Sequence, residues 1–223
     1  MDIAIIFLGI LCIPCILFTI ISIISNKYKE VDNKKKLSGF EVAREILDEN
    51  DLKDIYIVEV KGNLNDHYDY NSKVVRLSTD VFHGETVTAA IVAARVDSYA
   101  VQDKDNYTFM KFRGSFNQMI TFANYIAYIL FVVGICMKEI GILELANIIL
   151  LLVFIFHIIT LPVEFDACKR LVKYLDKYNH LTKKELEDAN ILVKVSAYTF
   201  IMSIVTCISN LIREIMYNIQ KRG

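Results

Sequence analysis

The sequence predicts a mainly α membrane protein, with about four transmembrane helices and a small cytoplasmic α/β subdomain. Apolar residues make up 54% of the 223 residues, and the mean hydropathy of +0.38 is high for a soluble domain. The excess collects into four runs, close to the roughly 20 helical residues that cross a hydrocarbon core about 30 Å thick. Between the first and second runs lies a stretch of ordinary soluble composition. A formal charge of -1 leaves no basic excess for neutralising a polyphosphate backbone, so nucleic acid is excluded as a partner and the lipid bilayer is implied.

Residues 1–25 form the first helix. The run from Ile3 to Ile24 lacks a basic n-region and a small-residue cleavage site, so it reads as an uncleaved anchor. Cys12 and Cys15 have redox spacing around Pro14 but lie at bilayer depth, where they read as small apolar residues beside a tolerated kink. Cys136, Cys168 and Cys207 are scattered, with no disulfide framework or zinc ribbon among them. Lys27, Lys29 and Lys34 to Lys36 follow the anchor and place this end in the cytoplasm.

Residues 26–115 form the subdomain. Ser38 and Glu41 make a capping box for an amphipathic helix ending near Asn50. Ile55 to Val60 and Lys73 to Leu77 alternate as strands do, on either side of a turn-rich stretch from Gly62 to Ser72. The expected order is helix, strand, turn, strand, central helix. His67, between Asp66 and Asp69, reads as part of a hydrogen-bonded turn, and His83 before Gly84 as the approach to the central helix. That helix, residues 86–103, carries small residues at helical spacing, so it should pack closely. Arg95 and Tyr99 stand one turn apart on one of its faces. An H-E-x-x-H metal helix carries its two histidines in that relation.

Residues 116–162 form a transmembrane hairpin, with Lys138 and Glu139 at its outer turn. Residues 163–192 are a cytoplasmic amphipathic segment containing Glu164, and Thr182 with Glu185 makes a second capping box. Pro162 fits the start of a new helix or a kink in the old one. An even number of crossings separates Glu164 from the central helix, so the two can meet. Residues 193–223 hold the fourth apolar run and the tail. If this run spans, Arg213, Lys221 and Arg222 fall outside, against the charge rule.

Several motifs occur together in order: S-G-x-E-V-A-R-x-I-L-D (Ser38 to Asp48), D-H-Y-D (Asp66 to Asp69), V-R-L-S (Val75 to Ser78), A-A-x-x-x-x-x-A-x-Q (Ala93 to Gln102) and L-P-V-E-F-x-A (Leu161 to Ala167). In this the chain resembles the membrane-bound neutral zinc metallopeptidases of bacteria, the YugP-like proteins, over nearly its whole length. The resemblance implies a zincin-like subdomain. In the family the central segment reads A-A-H-E-V-G-H-A-x-Q. Here Arg95 stands for the first ligand histidine, Val96 for the catalytic glutamate and Tyr99 for the second histidine, with Asp97 and Ser98 between them. Glu164 matches the expected third ligand.

A protonated guanidinium cannot donate a lone pair to zinc, and valine cannot serve as a base. The resemblance and these substitutions together imply a catalytically inactive homologue with no cofactor. It would act as a membrane binding or scaffold protein, with a membrane-protein partner or an active paralogue beside it. The alternative is an active membrane metallopeptidase whose zinc site is rebuilt from His67, His83, Asp66, Asp97 and Glu164. In the first case Arg95 is expected to replace the metal by pairing with Glu164.

Overall fold

The structure is a computed structural model, and it describes residues 16, 19–20, 22–24, 26–62, 65–137 and 139–191. Most of the anchor run with Cys12 and Cys15, the fourth apolar run with Cys207, and Asn63 and Leu64 lie outside the described residues.

The chain is mostly helical, with one small sheet. Helix α1 (Gly39–Glu49) begins at the capping box: the Ser38 side chain accepts from Glu41 N, and the Glu41 carboxylate accepts from Ser38 N. Such a cap contributes about 1 kcal/mol. Val42, Ala43, Ile46 and Leu47 form its buried face. Strands β1 (Tyr56–Val60), β2 (His67–Asp69) and β3 (Val74–Ser78) follow, in the spatial order β1-β3-β2. β1 runs parallel to β3 with Tyr56 opposite Val74, and β2 runs antiparallel to it with His67 opposite Arg76. The central strand buries Val75 and Leu77 completely.

β2 corrects the expected order, because part of the stretch read as turn is an edge strand. Only three residues pair, too few to show the alternation by which strands are recognised. Asp66 fixes its start by accepting from the backbone N and Oγ of Ser78.

A short helix α2 (Thr79–Phe82) leads into the central helix α3 (Val87–Lys104), whose first turn is capped by Thr86 accepting from Ala89 N. α3 packs against α1 on one side and α5 on another, and its buried Ala89, Ala90, Ala93, Ala94 and Ala100 allow both approaches. Helices α4 (Thr108–Met137) and α5 (Ile140–Lys177) form a hairpin turning at Glu139. Both are long and apolar enough to cross a membrane. Phe122, Tyr125, Ile129, Val132, Ile148 and Leu152 are exposed along them, a surface that suits hydrocarbon far better than water.

α4 begins eight residues before the expected start of the apolar run, so its first two turns belong to the subdomain. α5 continues through Pro162 without ending there. The cost of a proline inside a helix is met here by continuous packing: Val163, Glu164 and Ala167 beyond it are all buried. Residues 183–191 are again helical behind the predicted box, with Thr182 N donating to Glu185 and Glu185 N to Thr182 Oγ1.

Candidate functional site

The site lies where α3, α4 and α5 meet beneath the β2 edge. Arg95 and Tyr99 project from one face of α3, one turn apart, as their spacing requires. Arg95 Nη2 donates to Glu164 Oε2 at 2.7 Å, and Arg95 Nε donates to the Tyr99 hydroxyl at 3.1 Å. Tyr99 in turn donates its hydroxyl to the same Glu164 oxygen at 2.8 Å. The other oxygen, Glu164 Oε1, lies 2.6 Å from Arg113 Nη1, and the Arg113 guanidinium sits 4.8 Å from the Tyr99 ring centroid. The side chain of Glu164 is 3% exposed, against 26% for Arg95 and 21% for Arg113, so the carboxylate is enclosed between two cations that still touch the cleft.

Two contacts hold α5 at this position. Gln102 Nε2 donates to Val163 O and to Asp166 Oδ2, both at 2.9 Å, and Arg170 bridges Asp166 and Asp105 at 2.6 Å each. Above the cluster opens a cavity of about 780 Å³, lined by Val92, Val96 and Met110 as well as Arg95, Tyr99 and Arg113, with Asp66 to Ser72 as its upper wall. Gly114 makes the wall possible. A Cβ at that position would stand 2.3 Å from the Tyr70 ring, so only glycine lets Tyr70 lie against α4.

The expected Arg95–Glu164 pair is present, and Arg113 joins it. Composition could not single out Arg113, because an arginine beside an apolar run reads as an interfacial charge. The one available signal is Met110, Arg113, Gly114 and Asn117, which share a helical face that carries no long apolar run.

The residues of the rebuilt-site reading are held apart in separate contacts. His67 Nδ1 is 2.7 Å from Asn65 O, His83 faces Glu59 at 3.3 Å, and Asp66 is tied to Ser78. Asp97 points away from the cleft into the core. Among the described residues, no three His, Cys, Asp or Glu side chains converge as metal ligands. Where the resemblance would place the metal, the donor set does not fit zinc, since two guanidinium groups flank Glu164, the carboxylate that the described residues bring there.

Burial raises the Tyr99 hydroxyl above its ordinary value, which keeps it protonated as the donor to Glu164. Burial also pushes the Asp97 carboxyl well above the usual carboxylate range, against the pull of the Arg44 charge. Asp97 is fully buried, and neither of its oxygens has a hydrogen-bond partner among the described residues. A folded state that holds this proton while the unfolded chain releases it loses stability as pH rises. The loss begins above the unfolded value of about 3.9 and is complete once pH passes the folded value. Asp97→Val should therefore stabilise the protein by roughly 1–3 kcal/mol at neutral pH and flatten this decline. Unfolding in mixed micelles between pH 4 and 8 checks it, and an unchanged slope would count against a buried, protonated Asp97.

The profile of a family described as "Putative neutral zinc metallopeptidase" matches residues 3–218. The chain is 31% identical over 190 residues to "Putative membrane protease YugP" of Bacillus subtilis (strain 168), a match that covers 85% of this chain and 84% of the relative. No solved structure matches. The family profile spans almost the entire chain, and the identity to this relative extends over most of both proteins: this protein belongs to the neutral zinc metallopeptidase family.

Proposed function

We propose that this chain is a catalytically inactive member of its family, a multi-pass membrane protein with its subdomain on the cytoplasmic side, whose cleft binds without cutting. The observation that carries this reading is the ion-pair cluster at the metal position. Arg95 and Arg113 flank Glu164, Val96 faces the cavity where a base would stand, and Tyr99 is bound to both Arg95 and Glu164. Hydrolysis at a bound metal needs neutral or anionic donors and a proton acceptor near the bound water. At its floor this cleft offers two cations, an alkyl side chain and a carboxylate already paired with both cations. The orientation is supported by the lysines flanking the subdomain and by the two described helices long enough to cross a membrane; on this reading the first and fourth apolar runs cross as well.

A cavity beside a membrane-spanning hairpin, with its surroundings held by Gly114, Gln102 and Asp66, is what a binding or scaffold role requires. Purified in detergent and dialysed, the protein should hold far less than one zinc per chain and cleave neither casein nor a peptide library. Metal analysis and a protease assay test this, and stoichiometric zinc with measurable cleavage would overturn it.

A further inference from the structure

The cluster is not electrically balanced. Two guanidinium groups share one carboxylate, and among the described residues no second carboxylate pairs with either arginine. The floor of the cleft thus carries one excess positive charge in a largely desolvated place, where an anion is held far more strongly than in water. Arg95 uses Nε on Tyr99 and Nη2 on Glu164, which leaves Nη1 without a partner among the described residues. The acidic residues of the cavity wall belong to the β2 segment: Asp69 is paired with Arg76 and accepts from the backbone of Asn71 and Ser72, while Asp66 accepts from the neutral groups of Ser78 and keeps its charge. An anion is repelled by that wall and attracted by the arginines of the floor.

The cleft also has an exit into the membrane. Asn117 and Gln118 line both this cavity and a second one of about 730 Å³, which continues past Met119, Thr121, Phe122 and Tyr125. Arg113, Asn117, Thr121 and Tyr125 follow one face of α4 at four-residue steps. From Arg113 to Tyr125 this face covers about 18 Å, close to the depth of one leaflet. Phe122 and Tyr125 are exposed along it. A charged floor at the membrane entry, and beyond it an open strip along α4 where Asn117, Gln118 and Thr121 stand beside Met119, Phe122 and Tyr125, suit a ligand with an anionic head, a polar linker and hydrocarbon tails.

We infer that the cleft binds an anionic phospholipid, with its phosphate on Arg95 and Arg113 and an acyl chain in the groove along α4. This rests on the non-catalytic reading, since zinc at the floor would remove the arginine site. A peptide carboxylate would meet the same charge but would leave the groove at bilayer depth unused.

The test uses the full chain, delipidated in dodecyl maltoside, with binding read by native mass spectrometry and thermal shift. Dihexanoyl phosphatidylglycerol should bind saturably, one per chain, and at least about ten times more tightly than dihexanoylglycerol, which lacks the phosphate. Arg95→Gln should weaken it about tenfold. Asn117→Trp, which blocks the junction of the two cavities and leaves every charge in place, should weaken it comparably and decides the matter if the arginine variant fails to fold. Equal affinity for the phosphate-free lipid would overturn the inference. So would glycerol phosphate binding as tightly as the lipid, or a peptide with a free terminal carboxylate that the lipid cannot displace. Zinc content and proteolysis on the same preparation separate the two readings. A zinc-free, inactive protein with no preference for the anionic lipid would sink only this inference.

Discussion

Glu164→Leu should destabilise the protein by roughly 3–5 kcal/mol, whereas Arg95→Met should cost only about 1–2 kcal/mol. The asymmetry follows from the count of charges. Removing the carboxylate leaves Arg95 and Arg113 facing one another at a site where Glu164 is 3% exposed. Removing Arg95 leaves a neutral Arg113–Glu164 pair and loses one hydrogen bond each to Tyr99 and Glu164. The double variant Arg95→Met with Glu164→Leu should be less destabilised than the sum of its parts. Arg95→Met, Glu164→Leu and Arg113→Met together should approach the parent, because well-packed apolar groups can replace a buried ionic cluster. Unfolding in mixed micelles measures all four. Additive losses, or an Arg95 variant as unstable as the Glu164 variant, would show that the three groups do not share one electrostatic site.

Arg95→His, Val96→Glu and Tyr99→His, introduced together, should raise zinc binding from far below one ion per chain toward stoichiometry. The two restored imidazoles would stand one turn apart on α3, and the Arg95–Glu164 contact of 2.7 Å shows that α5 already brings its carboxylate to that face. Arg113 works against the ion, because it remains 2.6 Å from the carboxylate that zinc would take. Adding Arg113→Ala to the triple variant should tighten zinc binding further, measured by competition with a chromogenic chelator. A triple variant that still excludes zinc, with or without Arg113, would mean that α3 and α5 no longer meet at ligand distance. Proteolysis need not return with the metal, since ligand orientation depends on surrounding contacts that the substitutions do not restore.

Much of this arrangement was legible before any coordinates. The Ser38–Glu41 box, the α1 end at Asn50, the α3 limits and the two apolar helices all follow from local chemistry that a one-dimensional pattern records. The Arg95–Glu164 pair was legible for a different reason: helical spacing placed Arg95, and the resemblance placed Glu164 opposite it. What stayed hidden depends on contacts across distant segments. β2 exists because Asp66 reaches Ser78 and because β3 offers a free edge, neither of which has a local signature. Arg113 joins the cluster because α4 starts early enough to carry it into the subdomain. The burial of Asp97 depends on α1 covering that side of α3, so a carboxylate beside a serine gave no warning of a fully enclosed group.

Helix α5 gives the cleft a mechanical property. Its 38 residues make a rod about 57 Å long, nearly twice the thickness of a hydrocarbon core. The apolar part that can cross the membrane and the part that carries Glu164, Asp166 and Arg170 are one continuous shaft, interrupted inside by Pro162, which cannot donate a backbone hydrogen bond. A change in bilayer thickness or lateral tension that tilts the shaft must therefore swing the half beyond Pro162. The first joints to be strained are the Glu164 grip on Arg95 and the Gln102 latch on Val163. The floor of the cleft is bolted to a lever whose other arm lies in lipid.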